Sequence, residues 1–301
     1  MPSVLSLPTT LSALRPYLKL DQRIDINEQG IPEHQPLHYS QGMQANIDFL
    51  ENADWCQYYF RTHHRAETFR ARWSTATGSW EGKVVIDIGC GPGNVHATVG
   101  GTPQTLIGVD IAPSALKMAE SIGYSPLLAD AHNLPLVDGF ADIVVLNATL
   151  HHCDDMAKVL TEAARLVKPG GLLLSDQDPQ RSAWNFKGMG LWLRQIRFPI
   201  YRMVRSVHYL PKKQRTARRA TEIHNREPGD GLDKEFYSQM LEPLGFMVEV
   251  HPHNHDLGAE VLKGEYGKAS WRLRLSQWLS GIDISSAAAA QSMLCIATRL
   301  E

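Results

Sequence analysis

The sequence predicts an α/β fold with a doubly wound, mostly parallel sheet, and three observations carry this prediction. Short continuous apolar runs such as Val84–Ile88 are typical of strands buried on both faces of a parallel sheet. Segments with helical periodicity, such as Met156–Leu166, alternate with these runs. Acidic residues follow the ends of successive runs. Alternation of this kind implies crossover connections with helices on both faces of the sheet.

The elements follow in order from residue 84. The VKPGG segment at 167–171 ends a predicted helix, because proline and glycine are typical helix terminators. The predicted helices are 113–122 (with Ser114 as a cap), 156–166 and 233–241. The predicted strands are Val84–Ile88, Thr105–Val109, Ser125–Leu128, Ala141–Leu146, Leu172–Ser175, Phe246–Val250 and Ser292–Thr298.

The rest of the chain is less regular. Residues 1–45 are polar and interrupted by proline, which predicts an irregular arm, and the pattern from Gln44 to about Trp73 is helical. We therefore divide the chain into an N-terminal arm with a helical cap and an α/β domain with two insertions. These are residues 1–79, residues 80–301, and insertions at about 179–230 and 257–280.

The composition sets limits on the function. A net charge of −2 gives no overall preference for nucleic acid or anionic membranes, so such a preference would need a local patch. The four cysteines form no CxxC pair, which argues against a zinc site or a disulfide framework. The N-terminus lacks a secretory pattern, and no apolar run reaches the roughly eighteen residues of a membrane span. We expect a cytoplasmic protein, at most peripherally attached to a membrane.

The first strand leads into a glycine-rich turn, VVIDIGCGPGN at Val84–Asn94. Its G-x-G-x-G spacing suits a tight turn at which a ligand approaches the bare backbone. By itself such a turn is also compatible with a nicotinamide or flavin cofactor, or with a purely structural role. Asp110 and Asp130 follow the next two strands, so they should lie with the turn along the carboxyl edge of the sheet, where open α/β folds bind ligands.

Four segments in order resemble the class I S-adenosylmethionine methyltransferases, especially the small-molecule branch that includes the ubiquinone and menaquinone biosynthesis enzymes. The segments are IDIGCGPGN, IGVDIAPSAL, ADAHNLPLVDGFADIVVLNATLHH and EAARLVKPGGLLLSD. The resemblance implies a Rossmann-like seven-stranded sheet whose last strand is antiparallel. It also implies S-adenosylmethionine as the cofactor and S-adenosylhomocysteine as the product.

Carried over residue by residue, the resemblance places the cofactor along the strand ends. Asp110 would hold the ribose hydroxyls, Ile111 would pack on the adenine, and Asp130 with the Ala131 N–H would meet the adenine edge. Asn147 would lie beside the sulfonium. The glycine-rich turn would contact the methionine part and the ribose through Asp87, Gly89, Cys90, Gly91, Gly93 and Asn94.

Two histidine groups are candidates for the catalytic base. His151 and His152 follow the fourth strand, near the expected methyl group, and His152 is the first candidate; the alternative is structural hydrogen bonding. His253 and His255 follow the sixth strand and would share one face with His251. We expect no metal at this H-x-H-x-H, because no acidic or thiolate spacing reinforces it.

The segment 181–219 is the most unusual in composition. Between Asp178 and Glu222 there are eleven lysines and arginines, no acidic residue and many apolar residues. Three interpretations remain: a helical substrate cap, a membrane-surface or lipid-like acceptor site, or an RNA-contacting patch.

The acceptor is the least determined feature. The fourth strand is followed by Asn147-Ala148-Thr149-Leu150, without the Pro-Pro-aromatic motif of amino-methylating enzymes or the Pro-Cys of cytosine C5 enzymes. We therefore expect O- or C-methylation of a small, hydrophobic or amphipathic acceptor, with nucleic acid less favoured. The alternatives are an RNA-directed methyltransferase and a non-catalytic S-adenosylmethionine-binding protein. The oligomeric state is left open.

Overall fold

The computed structural model describes residues 9–34, 39–62, 66–203 and 212–301. The strands are β1 (Asp25–Ile26), β2 (Pro32–His34), β3 (Val84–Ile88), β4 (Thr105–Asp110), β5 (Ser125–Ala129), β6 (Ala141–Asn147), β7 (Val167–Pro179), β8 (Phe246–His253) and β9 (Ser292–Arg299). The helices are α1 (Thr9–Leu14), α2 (Gln41–Glu51), α3 (Ala53–Thr62), α4 (Glu67–Thr77), α5 (Asn94–Val99), α6 (Pro113–Glu120), α7 (Met156–Leu166), α8 (Arg181–Trp184), α9 (Gly188–Met203), α10 (Lys212–Thr221), α11 (Lys234–Leu241) and α12 (Trp271–Trp278). None of these helices has the length and apolar character needed to span a membrane.

The strands form one sheet in the order β1-β2-β5-β4-β3-β6-β7-β9-β8. Strands β3 to β7 are parallel, whereas β9 runs antiparallel to both of its neighbours, β7 and β8. The predicted α/β class and the antiparallel last strand are therefore confirmed. The strand order reverses between β3 and β6, which is the position where open sheets of this type bind ligands.

Two strands of this sheet were not predicted. The arm expected to be irregular supplies β1 and β2, and Glu33 and His34 of β2 pair in parallel with Leu128 and Ala129 of β5. The sheet therefore has nine strands instead of seven. The three-residue strand has no apolar alternation that a sequence pattern could reveal, and it covers the edge that β5 would otherwise expose.

The core lies on both faces of the sheet, as the continuous apolar runs predicted. Ile86 and Ile88 of β3 belong to the cluster on one face, which includes Val159 of α7. Val85 belongs to the cluster on the other face, together with Trp73 of α4. Because β3 is buried on both sides, its carboxyl end and the turn that follows are held firmly.

The predicted helix 44–73 consists of three helices, α2, α3 and α4, with residues 63–65 outside the described part. The break between the first two lies at Asn52, whose backbone is extended. Its Oδ1 accepts a hydrogen bond from the Trp55 N–H at 3.1 Å and so caps α3. Ser114 is not a helix cap: α6 begins after Ala112, and the Ser114 side chain donates to Glu51 of α2 at 2.8 Å.

The insertions place four helices, α8, α9, α10 and α12, around the domain. The α10 helix follows residues 204–211, which lie outside the described part, and the Thr221 carbonyl at its end accepts from Asn46 of α2 at 3.3 Å. The α9 helix packs on α12 at Gly190, where a Cβ would lie 2.0 Å from Ser280 Oγ. The second insertion is only partly helical, with a 3-10 turn at Ala259–Lys263 before α12.

Candidate active site

A cavity of about 540 Å³ lies at the carboxyl ends of β3 to β6. Helices α2, α3 and α10 close it on the side away from the sheet. Its walls include eight of the residues predicted from the sequence, namely Gly89, Gly91, Asp110, Ile111, Asp130, Ala131, Asn147 and His152. The fold therefore gathers residues that are up to 63 positions apart (89 to 152) around one space.

The three glycines of the turn serve different purposes. All have positive φ angles, 71° at Gly89, 51° at Gly91 and 87° at Gly93. A Cβ at Gly89 would lie 2.5 Å from Thr149 Cγ2, and one at Gly93 would lie 2.6 Å from Ile122 Cδ1, so both are needed for packing. Apart from its chain neighbours, no atom of the described residues lies within 4 Å of the Cβ position of Gly91, which lines the cavity. Gly91 therefore leaves its backbone open to a ligand.

Asp110 is fixed by the backbone around it. Its Oδ2 accepts from the Gly91 N–H at 2.8 Å and its Oδ1 from the Ala112 N–H at 2.9 Å. Burial raises the pKa of Asp110, and these backbone donors offset only part of that effect. Since a carboxylate has about four acceptor positions, two remain for hydroxyl donors of a ligand.

Asp130 has a partner that was not predicted. Its Oδ1 accepts from His132, at 3.0 Å from the backbone N–H and at 2.6 Å from Nδ1. The His132 Nε2 in turn accepts from the Asp155 N–H at 3.1 Å, so the ring carries its proton on Nδ1. Burial raises the pKa of Asp130, but the His132 bonds outweigh it and the net shift is downward. The spacing Asp130-x-His132 was the only signal for this contact.

His151 and His152 lie in a 3-10 turn after β6. The His152 ring lines the cavity, and its Nδ1 lies 2.7 Å from the Thr221 carbonyl oxygen. His151 is buried behind it, with Nδ1 2.7 Å from Asp178 Oδ1 and Nε2 3.4 Å from Glu222 Oε2. Burial and the neighbouring His151 lower the pKa of His152 to about 4. For His151, burial lowers the pKa, but Asp178 and Glu222 outweigh it and raise it.

Glu222 is a cavity residue that the sequence did not single out. Burial raises its pKa, whereas His151, His152 and the Asn225 hydrogen bond lower it, and the net shift is downward. It lies directly after α10, at the end of the basic segment. Only the docking of α10 on α2 brings it to His151, so sequence spacing held no signal for it.

Comparison with known proteins agrees with this geometry. A family model described as a methyltransferase domain matches residues 86–175. A ubiquinone biosynthesis O-methyltransferase of Thiobacillus denitrificans is 33% identical over 120 residues, which are 37% of this chain and 51% of that protein. A tRNA (carboxymethyluridine(34)-5-O)-methyltransferase of Arabidopsis thaliana is 35% identical over 119 residues, 37% of this chain and 29% of that protein. Residues 86–175 are a class I S-adenosylmethionine-dependent methyltransferase domain.

The similarity is limited in extent. This chain spans about half the length of the Thiobacillus relative and less of the Arabidopsis one. Among solved structures, the methyltransferase in complex with the Haloferax volcanii Trm112 methyltransferase activator has a TM-score of 0.53 at 15% identity. That alignment covers 88% of this chain and 100% of the other, and at such identity it shows the fold alone. The resemblance seen in the sequence is confirmed, and S-adenosylmethionine is the cofactor of the family.

Four residues expected to contact the cofactor do not line the cavity of the methyltransferase domain: Asp87, Cys90, Gly93 and Asn94. Asp87 is fully buried beneath the turn, and its Oδ2 accepts from the Tyr124 hydroxyl at 2.7 Å. Burial raises its pKa to about 7, although the Tyr124 bond opposes the shift. Its Oδ1 is buried without a hydrogen-bond partner among the described residues, as is Oδ1 of Asn147.

The second histidine group lies elsewhere. His253, at the end of β8, is fully buried with Nε2 2.7 Å from Asp176 Oδ1. Asp176 also accepts from Arg72 Nε at 3.1 Å and from Trp73 Nε1 at 2.8 Å. His255 packs against His253, with ring centroids 5.6 Å apart. Neither histidine lines the cavity, so this geometry gives no support for their expected part in catalysis.

The remaining wall of the cavity is mostly aromatic. The α2 and α3 helices contribute Phe49, Trp55, Tyr58 and Tyr59, and the α10 helix adds polar groups from Gln214 and Arg218. The aromatic residues were assigned to a helix from the sequence but not to the site. Their part in the cavity depends on how that helical segment folds back over the sheet edge.

Proposed function

We propose that this protein transfers the methyl group of S-adenosylmethionine to a hydroxyl of a small, hydrophobic or amphipathic acceptor. One observation carries the proposal: a single cavity connects the carboxylates of Asp110 and Asp130 to an aromatic wall and to His152. A donor held by the carboxylates would therefore have its reactive end toward an apolar acceptor site. Holding the two reactants in line is the main requirement of such a displacement.

The residues present fit the cofactor. S-adenosylmethionine, when bound, supplies an electrophilic methyl group on a sulfonium centre. Asp110 has free acceptor positions for the ribose hydroxyls, and Gly91 offers bare backbone for close approach. The buried Oδ1 of Asn147, which has no hydrogen-bond partner among the described residues, suits the positive charge of the donor's amino-acid end.

The acceptor end suits an aromatic alcohol. Phe49, Trp55 and Tyr58 present ring surface, which favours a flat apolar ligand. His152 donates its Nδ1 proton to the Thr221 carbonyl, because a carbonyl can only accept, so its Nε2 carries a lone pair. This nitrogen would accept the proton that the acceptor hydroxyl loses. The similarity to ubiquinone O-methyltransferases supports a phenolic or catecholic acceptor.

The experiment is a transfer assay with the purified protein, S-adenosylmethionine and a panel of alkyl-substituted phenols and catechols. We expect S-adenosylhomocysteine and a product 14 mass units heavier (about one CH₂) for at least one catechol, with O-methylation identified by mass spectrometry. Tight cofactor binding without transfer to any acceptor would instead identify a non-catalytic binding protein.

RNA is the second candidate acceptor, because one observation favours it. The α10 helix, KKQRTARRAT, has five basic residues and no acidic one, and its Arg218 and Gln214 line the cavity. The tRNA methyltransferase similarity points the same way. RNA binding that weakens steeply between about 50 and 200 mM salt would support this candidate. Absence of RNA binding at low salt would eliminate it.

Exposed tryptophans on two helices of the insertions are the basis for proposing peripheral membrane contact. Trp192 of α9 and Trp271 and Trp278 of α12 are 58%, 69% and 61% exposed, and these helices pack together without an acidic residue in either. Exposed tryptophans among arginines suit an anionic lipid surface. Co-sedimentation with anionic vesicles should fall several-fold in Trp192→Ser/Trp278→Ser. The matched change Met247→Ser, at an exposed apolar residue on β8, should leave it unchanged.

A further inference from the structure

Three side chains that can each ligate a metal converge at the acceptor end of the cavity. One nitrogen of His151, one nitrogen of His152 and one carboxylate oxygen of Glu222 lie within 4.8 Å of one another. His152 and Glu222 both line the cavity, whereas His151 is buried behind them. The cluster is therefore anchored in the protein interior by His151 and faces the cavity through His152 and Glu222.

Both imidazoles are held by their other nitrogen. The His151 Nδ1 lies 2.7 Å from Asp178 Oδ1, and the His152 Nδ1 lies 2.7 Å from the Thr221 carbonyl oxygen. Each Nδ1 therefore donates, which leaves Nε2 as the nitrogen that can bind a cation. The His151 Nε2 lies 3.4 Å from Glu222 Oε2. Histidines fixed in this way by a carboxylate and a backbone carbonyl are characteristic of metal ligands.

We propose that His151, His152 and Glu222 hold one divalent transition-metal ion at the acceptor end of the cavity. Two imidazoles and one carboxylate suit ions such as Zn²⁺, Co²⁺ or Fe²⁺ better than Mg²⁺ or Ca²⁺, which prefer oxygen ligands. Three protein ligands leave coordination positions free, as in catalytic metal sites. Because two of the ligands line the cavity, those positions face the space assigned to the acceptor.

The other buried histidine group lacks these properties. His253 uses both ring nitrogens, Nδ1 toward the Asn254 carbonyl at 3.1 Å and Nε2 toward Asp176 at 2.7 Å. Arg72 already pairs with Asp176 at 3.0 Å. The H-x-H-x-H motif was the place where the sequence raised the question of a metal, and none was expected there. The cluster at His151 leaves no signal in the sequence because Glu222 comes from a distant helix end.

The role of the ion in methyl transfer rests on the proposed function. An acceptor hydroxyl in a free coordination position would lose its proton more readily: the O–H bond breaks, the electron pair stays on oxygen and the proton passes to solvent. In that arrangement His152 Nε2 is a ligand and cannot also be the base. Metal binding itself does not depend on cofactor, acceptor or transfer, so it can be tested alone.

The test is a titration of the chelator-treated, dialysed 301-residue chain with Zn²⁺ by calorimetry and with Co²⁺ by absorption, without cofactor or acceptor. We expect one ion per chain, with Co²⁺ d–d bands. Glu222→Gln and His152→Ala should each weaken binding by about 100-fold or more, since even supporting residues contribute 10–100-fold. His224→Ala, a histidine two residues from Glu222 and outside the cluster, is the matched control and should bind normally. Thermal unfolding of the metal-free variants establishes that they fold.

Several outcomes would overturn the inference. Wild-type protein that binds no stoichiometric ion, or binding that survives both Glu222→Gln and His152→Ala, would reduce the cluster to a hydrogen-bonded ion pair. Full transfer activity after complete metal removal would leave the proposed function intact and refute the part assigned to the ion, with His152 as the base. Stoichiometric metal binding without transfer to any acceptor would support the site and refute the proposed function.

Discussion

Two polar clusters lie at the carboxyl end of β7, and each contains a buried histidine paired with an aspartate of that strand. In the closed cluster, Arg72, Trp73 and His253 surround Asp176. In the open cluster, Asp178 and Glu222 flank His151, and His152 lies beside it. The two aspartates are two residues apart, yet only the open cluster reaches the cavity.

The difference lies in what surrounds each aspartate. Arg72 and Trp73 of α4 supply donors to Asp176, so its charge is neutralised, and this cluster contributes no residue to the cavity. No lysine or arginine pairs with Asp178 among the described residues; its partner His151 also lies 3.4 Å from Glu222, which lines the cavity. We therefore expect substitutions in the closed cluster to alter the stability of the protein. Substitutions in the open cluster and at the strand ends that line the cavity should alter ligand binding and the rate of transfer.

The largest expected effect is in the closed cluster. Arg72→Met leaves the fully buried Asp176 without its cation and should lower the free energy of unfolding by about 3–5 kcal/mol. Urea unfolding measures this change. The control Arg181→Met removes an ion pair with Asp233 in which both side chains are more than 40% exposed, and it should cost about 0–1 kcal/mol. Equal effects for the two variants would show that Asp176 is not isolated from water.

The second largest expected effect is on the rate of transfer, and it compares one histidine from each of the two histidine groups. His152→Ala should reduce kcat about 100-fold, the scale of a general base, without weakening cofactor binding. His255→Ala should keep kcat, because this side chain does not line the cavity. Steady-state kinetics with an acceptor found in the transfer assay would decide between them. Equal rates in wild type and His152→Ala would remove His152 from the reaction.

Asp110 tests the position proposed for the cofactor at the strand ends that line the cavity. Asp110→Ala should weaken S-adenosylmethionine binding more than tenfold, because a carboxylate that holds two hydroxyls contributes about 1.5–3 kcal/mol. Calorimetry with the cofactor, and with Asp233→Ala as a control at an exposed carboxylate, gives the answer. Unchanged affinity would contradict the position assigned to the ribose.

The smallest expected effect concerns the pH dependence of two buried aspartates. Burial raises the pKa of Asp87 to about 7, so the folded state keeps a proton that the unfolded chain loses near pH 4, and stability should fall as pH rises toward 7. For Asp176, burial raises the pKa but Arg72 and His253 outweigh it and hold it far below its usual value. Its contribution is present at neutral pH and is lost as pH falls below about 4.

Two conservative variants separate these contributions. Asp87→Asn should remove a loss of about 1 kcal/mol per pH unit between pH 5 and pH 7, whereas Asp176→Asn should leave that slope as in wild type. Urea unfolding of the cofactor-free protein at several pH values measures both slopes. A wild-type slope that survives Asp87→Asn would show that Asp87 is ionised at neutral pH.

The sequence by itself determined the central strands of the sheet and the polar residues at their carboxyl ends, because both depend on local patterns. The strands from Val84 to Ser175 are recognisable as apolar runs in the sequence. The glycine turn, Asp110 and Asp130 come directly after strand ends. Since parallel strands end at one edge of a sheet, their order alone brings these residues together.

Only the tertiary structure decided which residues form the acceptor side of the cavity and which histidines line it. Arg72 meets Asp176 across 104 positions, and His151 meets Glu222 across 71. The sequence places the end of the sixth strand at Val250, whereas β8 continues to His253. The sequence also cannot tell that α4 closes that end while α10 leaves the other open to the cavity. Such contacts depend on how distant helices pack over the sheet, and no local residue pattern encodes that packing.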